Sequence, residues 1–307
     1  MDGLCAIAHP GDKASLQARQ KRDGSRAAIL AAMRIQLFSD LHLERYPAFQ
    51  PELAPGIDVI VLAGDIGSYQ GGSRLTGTEF GLERFAPALG ATRAHVLFIP
   101  GNHEFDGLDF DETYARLRAT CARLGIVWLE RESVTIDRVR FIGTTLWADF
   151  DALAAGHELT RQMQLREKAF RAANYYLGKN TALRGGEPLL AEGWRALSLD
   201  CQAWLRAALA VPFDGVTVAV THFAPSLKSA DPRYGITPGT AGFCNALDDL
   251  FPLADLWLHG HLHCLNDYVA SGVENGRDWS CRVVANPLGY LSKGEQAGFR
   301  PGLVIEL

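Results

Sequence analysis

The chain has no Cys-x-x-Cys pair, no excess of basic residues and no apolar run near the roughly eighteen residues that span a bilayer. Its six cysteines (Cys5, Cys121, Cys201, Cys244, Cys264 and Cys281) are widely spaced, so they read as reduced, mostly buried thiols of a cytoplasmic protein. A formal net charge of −5 argues against a nucleic-acid-binding surface, which carries a basic patch or stripe. The modest basic concentration from Arg161 to Arg171 reads as a solvated helix face. The first 32 residues do not read as a secretory leader: the charges from Lys13 to Arg26 follow the weak apolar start Leu4 to Ala8, where a leader would carry them in front. Internal repeats, low-complexity tracts and domain linkers are also missing.

What remains is an ordinary globular composition. The hydrophobic fraction is 48% and the charged fraction 21%, and 307 residues can bury one sizeable core. Met33 to Leu37 opens the first convincing strand, so Met33 is expected to be a true or alternative start. Residues 1–32 are expected to be an appendage to a single domain over 33–307.

Three buried strands are expected at Ile35 to Ser39, Ile57 to Ala63 and His95 to Ile99, with helix at Glu79 to Leu89. Continuous apolar runs separated by helical stretches indicate parallel strands covered on both faces. Asp111 to Leu124 reads as an amphipathic helix closed by Gly125. Short strands follow at Ile126 to Leu129, Val134 to Ile136, Val139 to Ile142 and Thr145 to Trp147. Helix is expected again over Glu158 to Gly178 and Glu187 to Leu209, a helical insertion at about 158–209. Val216 to Val220, Leu256 to Leu258, Asp267 to Ala270, Arg282 to Ala285 and Leu303 to Leu307 complete the strands. The fold class is α/β, with two mixed sheets packed face to face and helices outside. Ser68 to Gly77 reads either as a loop able to close over the site or as a plain surface loop.

Polar residues follow five of these strands: Asp40-Leu41-His42, Gly64-Asp65, Gly101-Asn102-His103-Glu104, Thr221-His222 and Gly260-His261-Leu262-His263. In α/β sheets such carboxyl ends gather ligands. The motifs hold two aspartates, one asparagine and five of the nine histidines. Carboxylate, amide and imidazole together suit two close-set divalent transition metals, a hydrolytic device. Asp40 and His42 lie two apart, and in extended chain both would point toward one metal.

The order of these motifs, from about Arg34 to Asn286, resembles the calcineurin-like metallophosphoesterase superfamily. The resemblance implies a four-layer fold. It implies that Asp40, His42 and His263 hold a first metal, that Asp65 bridges both, and that Asn102, His222 and His261 complete the second. It leaves His103 without a metal, as the general acid that assists the leaving oxygen. Protein phosphatases of the superfamily carry an aspartate three residues beyond the Gly-Asp aspartate to orient this histidine. Ser68 stands there instead, which separates the chain from that branch and leaves His103 without an identified partner.

Glu104 reads as a structural hydrogen-bond acceptor, His259 as a buried hydrogen-bonded residue, and Cys264 as a small apolar filler. Asp149 is open between site support and turn residue, and Tyr290 is a candidate to face substrate. The expected function is hydrolysis of a phosphodiester or small phosphomonoester by a metal-bridging hydroxide, with Mn, Fe, Zn, Co or Ni as metals. A cyclic-nucleotide phosphodiesterase and a nucleotide-lipid pyrophosphatase are the alternatives within enzymes. A binding scaffold on the same fold is disfavoured because scaffolds lose metal ligands and this chain keeps them all. The expected partner is a small phosphate ester, without nucleic acid or membrane.

Overall fold

A computed structural model describes residues 32–307. The segment expected to be an appendage, residues 1–32, lies outside the described residues except for position 32. Arg34–Leu307 forms one compact unit.

Two mixed sheets organise it. The first has the order β13-β1-β2-β3-β4, with β1 at Arg34–Phe38, β2 at Val59–Ala63, β3 at His95–Ile99, β4 at Val127–Trp128 and β13 at Val304–Glu306. Its strands are parallel except β13, which pairs antiparallel to β1. The second has the order β11-β12-β10-β9-β6-β5, with β5 at Glu132–Ile136, β6 at Val139–Thr144, β9 at Val216–Thr221, β10 at Leu256–His259, β11 at Asn266–Glu274 and β12 at Arg277–Ala285. Its central strands β12, β10, β9 and β6 run parallel. All five residues of β2 and all four of β10 are buried. Strands covered on both faces can be apolar throughout, which is why their sequences do not alternate.

Three helices flank the sheets. α1 (Phe110–Leu124) is capped by the Asp109 carboxylate, which accepts from the Asp111 and Glu112 amides, and it stops at Gly125 with φ 71°. α2 (Leu159–Leu177) buries only Ala169 and leaves Leu159, Met163, Tyr175 and Tyr176 exposed. α3 (Ala191–Ala210) buries Trp194, Ser198, Cys201, Gln202, Leu205 and Leu209, a stripe at helical spacing against the core. No described helix is long and apolar enough to cross a membrane.

The structure departs from the sequence reading in four places. Glu79 to Leu89 is two short 3-10 segments, Leu82–Phe85 and Pro87–Leu89, because Gly81 turns left-handed at φ 78° and Pro87 interrupts the amide ladder. Thr145 to Trp147 leaves the sheet, since Leu146 and Trp147 take φ of 72° and 42°. Glu187 and Pro188 belong to a two-stranded hairpin, β7 (Leu183–Arg184) with β8 (Glu187–Pro188), and α3 starts after it. β11 and β12 are much longer than their apolar segments, joined by Asn275-Gly276 with both residues at positive φ. That dipeptide is the preferred two-residue hairpin turn.

Candidate metal centre

β1, β2 and β3 of one sheet and β9 and β10 of the other all end at one place. The strand-end loops are stitched together there: the Asp40 amide donates to the Gly64 carbonyl at 3.0 Å, and the Gly260 amide to the His222 carbonyl at 3.0 Å. The His261 amide donates to the Asp40 carboxylate at 2.9 Å, linking the two sheets. Gly101 admits no side chain, because a β-carbon there would collide with the Asp65 carboxylate and with the His222 ring. Asp40, His42, Asp65, His261 and His263 all have positive φ, between 47° and 73°. Non-glycine residues enter that region rarely, at a cost of about 1–3 kcal/mol each, and such strain clusters at ligand sites. Asp40 and His42 therefore converge through left-handed turns, not through the alternation of an extended strand.

Two groups of potential ligand atoms result, each within 4.8 Å of one another: Asp40, His42, Asp65 and His263, and Asp65, His222 and His261. Asp65 is common to both. In the first, His42 Nε2 lies 3.0 Å from His263 Nε2, and His263 Nε2 lies 3.4 Å from Asp40 Oδ1. In the second, His222 Nε2 lies 3.3 Å from Asp65 Oδ2, and Asn102 Oδ1 is 3.3 Å from His222 Nε2. All seven sequence-predicted ligands are thus brought together.

The far nitrogens are held differently. His42 Nδ1 faces Glu44 at 3.1 Å, His263 Nδ1 faces Glu295 at 2.6 Å, and His222 Nδ1 faces the Ala63 carbonyl at 2.7 Å. Glu104 is fully buried and accepts the amides of Asp65, Ile66 and Gly101 at 3.0, 2.6 and 2.7 Å. It is a brace for two motif loops, and burial with the Asp65 charge pushes its carboxyl up to about 7. His259 is buried between the Gly260 carbonyl and Ser229 Oγ, and burial depresses it to about 4. Cys264 sits against the Ser229 carbonyl at 3.8 Å, and the five described cysteines are free thiols. Asp149 is buried and accepts from Gln202 at 2.8 Å and from the Asp151 amide, so it supports the loop after β6.

His103 stands at the rim. Its Nδ1 is 2.6 Å from Asp106 Oδ2, its Nε2 is 3.9 Å from Asp65 Oδ2, and the Tyr290 hydroxyl is 3.4 Å from the same Nε2. Burial opposes its charge, but the Asp65 and Asp106 carboxylates outweigh this and raise its pKa to about 10. Asp106 is the orienting partner that sequence reasoning missed. Its signal was the spacing of three, since positions i and i+3 eclipse in the 3-10 turn His103–Phe105. Ser68 caps its own loop by accepting the Gln70 amide at 3.2 Å. Glu44 and Glu295 were missed as well, and Glu295, 32 positions from His263, left no local trace.

Charge and orphaned atoms test whether this centre suits metal ions. Burial would raise Asp40, but His263 holds it at about 2, and the nearby histidines hold Asp65 well below the carboxylate range. Both are therefore anions inside the protein. Among the described residues, Asp65 Oδ2 and His261 Nε2 are buried without a hydrogen-bond partner. Buried polar atoms are normally paired. Orphaned carboxylate and imidazole atoms on residues whose ligand atoms cluster within 4.8 Å, together with the amide oxygen of Asn102, fit borderline divalent cations.

Comparison with known proteins agrees. A protein of Acanthamoeba polyphaga mimivirus, itself uncharacterized, is 23% identical over 298 residues, 89% of this chain and 96% of its own length. The crystal structure of a phosphopantetheinyl hydrolase from Mycobacterium tuberculosis superposes with a TM-score of 0.62 at 20% identity, covering 90% of this chain and 96% of the other. At that identity the likeness speaks for the fold. Residues 33–265, which carry all five motifs, match the calcineurin-like phosphoesterase family. The chain therefore belongs to that family of phosphoric ester hydrolases.

Proposed function

We propose that the chain hydrolyses a phosphodiester or small phosphomonoester with two divalent transition-metal ions. Asp40, His42 and His263 would hold the first ion, Asn102, His222 and His261 the second, and Asp65 both. The observation that carries this reading is the shared Asp65, whose buried second oxygen accepts no hydrogen bond among the described residues, although His222 Nε2 lies 3.3 Å away. Two bound cations would supply Lewis-acid charge and lower the pKa of a water toward about 7.

The protein's own residues do the rest. Glu104 fixes the loops bearing Asp65 and Asn102, so the ligand geometry costs no reorganisation during reaction. Asp106 takes His103 Nδ1, which leaves Nε2 to carry a proton toward the substrate. His103 touches the departing oxygen and protonates it, which matters most when that oxygen would leave as an alkoxide. Tyr290 stacks on His42 at a ring separation of 4.3 Å and places its hydroxyl near the same Nε2, where it can steer a phosphoryl oxygen.

The test is turnover of a panel by Mn²⁺-loaded protein: phosphomonoesters, phosphodiesters including cyclic nucleotides, phosphopantetheinyl esters and nucleotide-linked pyrophosphates. Metal-dependent release of phosphate or alcohol, abolished by chelator and restored by metal, is expected. No turnover of any of them, with no bound metal by elemental analysis, would remove the proposal.

A further inference from the structure

A cavity of about 400 Å³ opens beside the centre, within the range of small-molecule sites. Asn102, His103, Asp106 and His261 form its inner end, and α2, α3 and the short segment Pro238–Gly242 form its far side. Its walls are aromatic: Trp147, Phe150, Trp194, Phe223 and Phe243. Because the proton donor proposed above lies in this lining, a group attached to the departing oxygen would extend into it.

The wall is rigid and built at a conformational cost. Leu146, Trp147 and Phe150 have positive φ of 72°, 42° and 62°. Ser198 Oγ donates to the Leu146 and Trp147 carbonyls at 2.9 and 3.1 Å, and Asn245 Nδ2 donates to the Trp147 carbonyl at 2.8 Å. Trp147 and Trp194 pack with ring centroids 4.2 Å apart, and Trp194 Nε1 donates to Thr181 Oγ1. Backbone in this region persists only where its surroundings over-determine it, and such places cluster at ligand clamps.

Charge is scarce in the lining. Asp106 is committed to His103 and to Asn180, whose Nδ2 donates to it at 2.8 Å. Lys179 is exposed, with its ammonium 3.9 Å from the centre of the Tyr175 ring. Apart from these residues and His103, the lining side chains are uncharged, so a second substrate charge among the aromatic walls would be left unpaired, and burying an unpaired charge is costly.

We infer that this cavity holds the arm on the leaving oxygen of the substrate, and that the arm is neutral and largely apolar, with on the order of ten non-hydrogen atoms given about 30 Å³ for each water-sized unit. The inference rests on the phosphate-ester reading. A water oxygen bonds to phosphorus, the bond from phosphorus to the arm's oxygen breaks, and that oxygen takes the proton from His103 Nε2. The arm leaves as an alcohol, and the water's proton passes to solvent.

The test uses Mn²⁺-loaded full-length protein and straight-chain alkyl phosphomonoesters and alkyl methyl phosphodiesters from ethyl to octyl. Leaving-group basicity is nearly constant along the series, so chain length reports burial alone. kcat/KM should rise about three- to fourfold per added methylene until the cavity is filled. Ala173→Phe and Gly242→Leu, which intrude from α2 and from the facing segment, should lower the octyl-to-ethyl ratio by about tenfold or more. That ratio is internal to each variant and is unaffected by a general loss of active protein. Binding of octylphosphonate against ethylphosphonate, read by tryptophan fluorescence, gives a second measure without turnover. Hydrolysis that is flat with chain length, with the two phosphonates binding equally, overturns the cavity assignment and leaves the hydrolase reading standing. Tight octylphosphonate binding without any turnover would do the reverse.

Discussion

The two halves of the candidate metal centre each pair two imidazoles with the shared Asp65 carboxylate, but they support those imidazoles in different ways. On the side of Asp40, His42 and His263, both imidazoles are backed by carboxylates, Glu44 at 3.1 Å and Glu295 at 2.6 Å. On the other side, His222 leans on a backbone carbonyl, and His261 Nε2 has no hydrogen-bond partner among the described residues. His261 lies instead between two phenylalanines, with ring centroids 3.9 Å from Phe223 and 5.2 Å from Phe243. Burial and the neighbouring His222 hold its pKa well below that of a free imidazole. A carboxylate behind an imidazole raises its basicity toward a metal, and such partners are worth about 10–100-fold in affinity. On the proposed assignment, the first half would therefore retain its ion more tightly, and the second would present a less neutralised cation to the cavity where substrate would lie.

Asp65→Ala should have the largest effect because it removes the one group common to both halves. Both ions and activity should vanish together, whereas His42→Ala should weaken only the first half. Bound metal per chain decides this, and two full equivalents in Asp65→Ala would refute the bridging role.

His103→Ala comes next. Alkyl and nucleoside esters should slow by on the order of 10²–10⁴, while p-nitrophenyl esters, whose leaving group needs little protonation, should lose much less. Metal content should be unchanged. Equal losses on both substrate types would reduce His103 to positioning.

Glu295→Gln sharpens the contrast directly. Removing the carboxylate behind His263 should weaken the tighter of two metal-binding steps by about 10–100-fold. Calorimetric titration with Mn²⁺ should then show the two steps drawn together. An unchanged first step would show that the backing carboxylate does not set the order.

Asp106→Asn should have the mildest effect, and it appears in the pH profile. The Asp106 charge favours protonated His103, so its loss lowers that pKa and the acid is lost at lower pH as pH rises. The alkaline limb of kcat/KM should move down by about one pH unit or more. An unmoved limb would assign the limb to another group.

Much of this was legible in one dimension because its signals are local. An apolar run ending in Asp40, Asp65 or His222 marks a strand that delivers a ligand to a sheet's edge, whatever the sheet becomes. Glu79 to Leu89 misled because Gly81 and Pro87 act on backbone geometry and leave the apolar spacing intact. β11 and β12 were cut short because eight of their eighteen residues are exposed, and polar positions hid the pairing that Asn275-Gly276 turns.

By itself the sequence determined the kind of chemistry: which side chains gather and at which strand ends, since both follow from residue type and adjacency. Only the tertiary structure decided which carboxylate stands behind which imidazole, and that Phe223, Phe243 and Trp147 wall a cavity beside His103. Apart from the local pair of His42 with Glu44, those relations join residues from opposite sheets and distant loops. They depend on how the two sheets pack and on left-handed turns at Asp40, His42 and His263, which linear spacing does not encode.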